Sequence, residues 1–185
     1  MKTSRIEELY RIIASPLVKY PDELLVHTQT TGDAYTVVAA CNSEDKGRLI
    51  GSGGRMFKAC EYLIRTAGRN IGVSTRLIIE SDFRTTHKLC PFAPKYNWNK
   101  TDNEYLEALI WDVLGYVGVD PAEVRTSDVS KWGTVVVVRT TDSLEEQMRL
   151  ALETVINAIG KAKGRFVYLD IGWMYEGQRT NFCSR

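Results

Sequence analysis

Residues 51–54, Gly-Ser-Gly-Gly, stand directly before a basic, helix-forming segment that begins at Arg55. Glycine adopts positive φ angles at no steric cost, and its bare backbone lets N–H groups approach an anion closely. A helix beginning at Arg55 would also point the positive end of its dipole at the same place. The residue types and their order therefore predict a loop that binds phosphate groups.

The segment after the loop has the pattern of an amphipathic helix that ends near Asn70. Its apolar residues follow helical spacing and predict one buried face. They are Met56, Ala59, Cys60, Leu63 and Ala67. Its basic residues fall nearer to solvent. They are Arg55, Lys58, Arg65 and Arg69.

The net charge of +1 conceals an uneven distribution along the chain. Residues 46–100 hold 11 basic and 3 acidic residues, which gives +8, whereas residues 1–45 and 101–185 carry −3 and −4. Most charged runs are solvated surface, but this one coincides with the predicted anion-binding loop. The coincidence favours a polyanion as partner.

Length and composition are those of a globular chain of one or two domains, with 185 residues of which 44% are hydrophobic and 25% charged. The N-terminus lacks the apolar segment of a signal peptide, and no run of about 18 apolar residues occurs, so we expect a cytoplasmic protein without membrane insertion. The four cysteines are far apart and the chain has two histidines. This spacing favours reduced thiols over a zinc site or a disulfide framework.

Enzymatic interpretations find little support in the motifs. The glycines do not form a dinucleotide fingerprint, because Met56 occupies the place of the last glycine, and no P-loop sequence occurs. Nothing in the spacing pairs His27 or His87 with a cysteine nucleophile. Adjacent carboxylates lie at predicted helix starts or turns, where they favour the helix dipole. We predict a protein that is not an enzyme and needs no cofactor.

The first half has the predicted element order αββααβ. The elements are a helix over about 4–15, strands at 24–31 and 35–41, a short helix from about 43, the glycine loop with the long helix, and a strand at 75–80. Over about residues 4–82 the sequence resembles the small bacterial type II KH proteins. The most specific part is the segment Ile50 to Arg55, which matches the family's Ile-Gly-x-x-Gly followed by a basic residue.

This resemblance implies an α+β fold that holds about four nucleotides of single-stranded RNA, less often DNA, between the glycine loop and an apolar groove. Backbone N–H groups of the loop would contact phosphates, Ile50 would help to floor the groove, and basic residues would add charge. The predicted binding residues, including two from the segment after residue 82, are Lys46, Arg48, Ile50, Gly51, Ser52, Gly53, Gly54, Arg55, Lys58, Arg65, Lys95 and Trp98. Ser52 and Gly53 replace residues that are often basic or polar in the family, so the loop itself carries no charge.

The second half matches the first at an offset of one hundred residues. The matched pairs are Ile6 with Leu106, Leu9 with Leu109, Ile13 with Val113, Leu17 with Val117, Pro21 with Pro121, Glu23 with Glu123, Val37 with Val137 and Val38 with Val138. Further on, Leu77 matches Phe166, which predicts a second copy without the short helix and glycine loop. Thr101 and Ser143 are expected to cap its helices. Chance apolar periodicity is the competing explanation of these matches.

The predicted domains are a type II KH domain at 1–82, a basic and aromatic linker at 83–100, a degenerate KH-like domain at 101–172, and a tail at 173–185. The linker places Phe92, Tyr96 and Trp98 among basic residues. Aromatics in such a setting suit base stacking, and they suit equally the packing of two domains against each other. The tail is compatible with an RNA-contacting arm or with self-association.

The sequence thus predicts a single-stranded RNA-binding protein of the chaperone or carrier type, with RNA (mRNA among the candidates) preferred over single-stranded DNA. A protein partner or self-association through the second domain or the tail is a further expectation. The alternative is a structural or assembly protein that uses KH-like domains for protein contacts. The two differ in salt dependence, because phosphate contacts weaken steeply as salt rises.

Overall fold

A computed structural model of the chain describes residues 2–32, 34–80, 102–130, 133–141 and 143–173. The predicted fold class is confirmed: two three-stranded sheets pack on helices in an α+β arrangement. The helices are α1 (Lys2–Ala14), α2 (Ser43–Ile50), α3 (Arg55–Asn70), α4 (Asp102–Tyr116) and α5 (Glu146–Ala162). The strands are β1 (Leu25–Thr31), β2 (Ala34–Ala40), β3 (Ser74–Glu80), β4 (Pro121–Ser130), β5 (Gly133–Thr140) and β6 (Phe166–Trp173). The predicted linker and the tail beyond Trp173 lie outside the described residues.

The two sheets have the same topology. The strand orders are β1-β2-β3 and β4-β5-β6, and in each the first two strands are antiparallel and the last two parallel. We call α1 to β3 the first unit and α4 to β6 the second unit. The second unit passes from β5, which ends at Thr140, to α5, which begins at Glu146. It therefore has no counterpart of α2 or of the glycine loop among its described residues.

One carboxylate contact occurs in both units and identifies equivalent positions. The backbone N–H of Thr28 in β1 donates to Glu7 Oε1 of α1 at 2.7 Å. The backbone N–H of Thr126 in β4 donates to Glu107 Oε1 of α4, also at 2.7 Å. In each unit a half-buried glutamate of the first helix thus holds the first strand.

The residue matches predicted beyond the first helices are wrong in register. A Cβ at Gly68 or Gly160 would meet Thr75 or Val167, so these pairs are equivalent and Leu77 corresponds to Leu169 rather than to Phe166. Phe166 is 67% exposed, whereas Leu77 is buried.

The second strands also differ from the predicted match by one residue. Val37 pairs with Leu77, and Val136 pairs with Leu169, so Val37 corresponds to Val136 and not to Val137. Four consecutive valines at 135–138 carry no alternation of apolar and polar residues from which a register could be derived. The predicted match of Pro21 with Pro121 fails too, because Pro21 begins a short 3-10 turn and Pro121 begins β4.

Two local features of the second unit differ from the sequence expectations. Helix α5 begins at Glu146 with Glu145 as its N-cap and without a side-chain cap, so Ser143 is not the capping residue. The other predicted cap, Thr101, lies outside the described residues. Strand β4 has no clear apolar alternation and contains two register irregularities, which explains why pattern analysis did not assign it individually.

Equivalent helices of the two units face each other. Helix α1 packs against α4, and α3 packs against α5, so the buried residues form one continuous core. At one end the Arg5 guanidinium lies 5.6 Å from the ring centroid of Tyr116. Burial, reinforced by a hydrogen bond to Glu8, raises the pKa of Tyr116. At the other end the Tyr62 hydroxyl donates to Glu145 Oε2 at 2.9 Å.

The described ranges contain neither a membrane-spanning helix nor a cluster of metal ligands. None of their helices is both long and apolar enough to span a membrane. No group of three or more His, Cys, Asp or Glu side chains in them is arranged to hold a metal ion. Cys41 and Cys60 are buried free thiols.

A buried carboxylate connects the segment after α1 with α2. Asp45 has no exposed surface, and its two oxygens accept the backbone N–H groups of Lys19 at 2.8 Å and Tyr20 at 3.0 Å. The guanidinium of Arg48 approaches the same carboxylate at 3.7 Å. Asp45 therefore anchors the helix that leads into the glycine loop.

We expect Asp45→Asn to lower the free energy of unfolding by about 1–3 kcal/mol, because an amide accepts only one of the two backbone N–H groups and leaves the other unpaired. Denaturant titration followed by circular dichroism measures the change. Glu44→Gln removes the same charge from the neighbouring position, where the side chain is 63% exposed. This control should cost less than about 1 kcal/mol, and equal effects would contradict the anchoring role.

Burial raises the pKa of Cys60 to about 12. The unfolded chain loses this proton near pH 9, so Cys60 stabilises the fold below that pH and its contribution disappears as the pH rises toward 12. We expect the free energy of unfolding to fall in this window by about 1 kcal/mol per pH unit on account of Cys60. In Cys60→Ala this part of the slope should be absent, while the buried tyrosines keep theirs. Parallel slopes in denaturant titrations of both proteins would contradict the assignment.

Candidate nucleic-acid interface

Helix α2 is held at its beginning by side chains from two other segments. The Asn42 side-chain oxygen accepts the backbone N–H of Glu44 at 2.9 Å and so caps the helix. The Asn42 amide donates to Glu23 Oε2 at 2.8 Å. Together with Asp45, this cap holds α2 in place, and α2 in turn positions the glycine loop that follows Ile50.

The glycine loop needs glycine for two different reasons. Gly51, Gly53 and Gly54 have φ angles of 72°, 63° and 73°, which other residues rarely adopt. A Cβ at Gly51 would also lie 2.7 Å from the Met56 Cβ, whereas one at Gly53 or Gly54 would meet nothing within 4 Å. Gly51 therefore lets the loop pack onto the first turn of α3, and the other two set its turn.

The exposed part of the loop presents backbone donors. The N–H groups of Gly51 and Gly54 donate to Gly47 O at 2.9 Å and Gly51 O at 3.1 Å. Within the described part of the chain, the exposed Ser52 and Gly53 have no acceptor for their backbone N–H groups. Helix α3 begins directly afterwards, without a side-chain cap. The donors and the positive helix end together suit an anion.

Basic side chains surround this point. The Arg55 Nε donates to Ser52 O at 3.3 Å, which holds its exposed guanidinium beside the loop. Lys58 is exposed one turn further along α3 and has no ion-pair partner among the described residues. Lys46 and Arg48 lie on α2, and half-buried Ile50 ends that helix. Ten of the predicted binding residues thus fall on α2, the loop and α3.

One described residue of the predicted set is not at the loop. Arg65 follows Arg55 on α3 by a distance of about 15 Å along the axis, and it pairs with Glu61 at 3.3 Å. Lys95 and Trp98 lie outside the described residues. Asp45, which anchors α2, was not predicted from the sequence, because a carboxylate inside a short helix gives no signal of its burial.

The two units differ in how their arginines are neutralised. In the second unit every described arginine has a carboxylate partner. The pairs are Arg125 with Glu123, Arg139 with Asp170, Arg149 with Glu146 and Glu153, and Arg165 with Asp128. In the described part of the first unit, Arg55, Lys58, Arg69 and Arg76 have none. Among the described residues, arginines without a carboxylate partner therefore belong to the unit that has the glycine loop.

Comparison with known proteins gives the family of the first unit. The KH domain of the KhpA/KhpB family matches residues 7–79. The RNA-binding protein KhpA of Listeria monocytogenes is 34% identical over 74 residues, which are 40% of this chain and 97% of that protein. KhpA of Bacillus subtilis is 31% identical over 68 residues, which are 37% of this chain and 84% of that protein. Since residues 7–79 include α2, the glycine loop and α3, and since nearly all of a relative's length is matched, the chain belongs to the KhpA/KhpB KH-domain family.

Proposed function

We propose that the protein binds single-stranded RNA at the glycine loop of its first unit. The observation that carries this proposal is the pair of unpaired backbone N–H groups at Ser52 and Gly53, which lie between a positive helix end and the side chains of Arg55 and Lys58. The name of the matched relatives, RNA-binding proteins, supports RNA over single-stranded DNA.

In the proposed binding mode, backbone N–H groups bind the phosphates, and side chains neutralise their charge and contact the bases. Phosphate oxygens accept the N–H groups of the loop, and Arg55 and Lys58 neutralise their charge. Ile50 supplies apolar surface for a base, and Lys46 and Arg48 border the groove from α2. The uncharged loop contributes no attraction of its own, and it places no carboxylate near the phosphates.

The protein would carry out no chemical step on the RNA that it binds. The protein would hold RNA, protect it or deliver it as a chaperone or carrier, without catalysis and without a cofactor. We place it in the cytoplasm, where the free thiols Cys41 and Cys60 remain reduced.

We also propose that the second unit is a degenerate KH-like domain. Its support is the identical strand order of the two sheets and the shared contact of Glu7 and Glu107 with the first strand of each unit. Its described residues lack the loop, and its arginines are neutralised internally. It would therefore contribute packing against α1 and α3, or protein contacts, rather than a second clamp.

Ser52→Asp/Gly53→Asp should abolish RNA binding, because two carboxylates would then lie where phosphates are expected. Aspartate tolerates positive φ better than most residues, so the variant should fold. Fluorescence anisotropy with labelled single-stranded RNA and DNA, at two salt concentrations, measures the affinity.

Ala122→Asp/Ser127→Asp is the matched control, since it puts the same two charges at exposed positions of β4 in the second unit. It should bind RNA as the wild type does. Equal binding by all three proteins would disprove the loop as the site, and binding that is insensitive to salt would favour the assembly alternative.

Gly51→Ala should weaken RNA binding and lower the thermal midpoint, because the new Cβ would overlap the first turn of α3 and strain a backbone with φ of 72°. Gly47→Ala is the control within the same motif. A Cβ there meets nothing within 4 Å, and alanine in a helix is favoured over glycine by about 1 kcal/mol. Unchanged affinity and midpoint in Gly51→Ala would show that the close approach of loop and helix is not required.

A further inference from the structure

We propose that the solvent face of α3 is a second contact region for RNA, one that guides the strand away from the glycine loop. This inference rests on the proposed function, because it extends the path of the same RNA. The region consists of Arg65 and Arg69, and it continues from Arg55 and Lys58 at the loop.

These four cations form a single line along the helix. They follow one another at helical intervals, with Tyr62 between Lys58 and Arg65, on the side opposite the buried Cys60, Leu63 and Ala67. All four are exposed. A helix rises about 1.5 Å per residue, so the line from Arg55 to Arg69 is about 21 Å long. Arg69 therefore lies far from the glycine loop, which precedes the first residue of the helix.

Neighbouring acidic groups leave most of this charge uncompensated. Glu61 pairs with Arg65 at 3.3 Å in an exposed contact that water and salt weaken. Glu145 of α5 accepts the hydroxyl of Tyr62 at 2.9 Å. Arg69 has no ion-pair partner among the described residues. The line therefore attracts a polyanion along its length.

Three other carboxylates of the first unit are committed to structural contacts. Asp45 is bound by the backbone N–H groups of Lys19 and Tyr20, and Glu7 by that of Thr28. Glu23 accepts the amide of Asn42. These three negative charges are thus used inside the fold, whereas four exposed cations lie on the surface of α3. The second unit differs, because each of its described arginines has a carboxylate partner. This contrast favours a nucleic-acid strand over a protein as the occupant of α3.

The test compares a tetranucleotide with a dodecanucleotide of single-stranded RNA by fluorescence anisotropy over a range of salt concentrations. The variant Arg65→Gln/Arg69→Gln removes both charges and keeps polar side chains of similar helix propensity. Arg76→Gln/Arg125→Gln is the control, since it removes two exposed arginines outside α3. Arg76 alternates with Thr75 and Leu77, which face the helices, so it lies on the opposite face of the sheet.

We expect the α3 variant to bind the tetranucleotide as the wild type does and the dodecanucleotide about tenfold more weakly at low salt. Its slope of log affinity against log salt for the dodecanucleotide should be smaller by roughly 0.7 for each lost phosphate contact. The control variant should lose less affinity and keep the same gain with length.

The other possible results distinguish a wrong α3 path from a wrong proposed function. Equal dodecanucleotide affinity in wild type and α3 variant, or an equal loss in the control, would overturn the α3 path while tetranucleotide binding still supports the loop. Wild type that binds both lengths equally would overturn it as well. If the folded wild type binds neither RNA, the proposed function and this inference are both wrong.

Discussion

The close approach of Gly51 to Met56 is the contact on which the candidate site depends. It brings the end of α2 onto the first turn of α3, and any side chain at position 51 would prevent it. Once the two helices meet in this way, the loop must turn through Gly53 and Gly54 with positive φ. The N–H groups of Ser52 and Gly53 then remain exposed beside the helix end. A steric constraint at one residue thus creates an electrostatic property of its neighbours.

The second organising feature is which groups the acidic side chains contact in each unit. In the first unit, Asp45 and Glu7 accept backbone N–H groups that would otherwise be unpaired, so they stabilise the fold and leave surface cations without partners. In the second unit Glu107 makes the same kind of contact, but Glu123, Asp128 and Asp170 pair with arginines. The two units thus share a topology and differ in the use of their acidic residues. A fold of this kind specifies a function only through such local differences.

Much of the fold could be predicted from the sequence, because local residue patterns indicated its elements. The glycine loop, the amphipathic pattern of α3 and the element order of the first unit each have short-range signals, and they agree with one another. The register of the second unit had no such signal. Valines at 135–138 suit either face of a strand, and only the packing of Gly160 against Val167 and the pairing of Val136 with Leu169 decide which face is buried. The start of α5 was predicted wrongly for a related reason. A serine caps a helix only if the backbone places it at the N-cap position, and in α5 that position is occupied by Glu145.

The sequence by itself determined the candidate anion site, because glycines followed by a basic amphipathic helix have few other physical uses. It also determined that positive charge is concentrated in the same region. Only the tertiary structure decided which of those charges remain uncompensated. Ion pairs and buried carboxylates join residues that are distant in sequence, as Asp45 joins Lys19 and Tyr20, and net charge cannot distinguish a paired arginine from a free one. The packing of α1 on α4 and α3 on α5 was likewise a matter of tertiary structure, since it depends on the complementary shapes of two surfaces rather than on any local pattern.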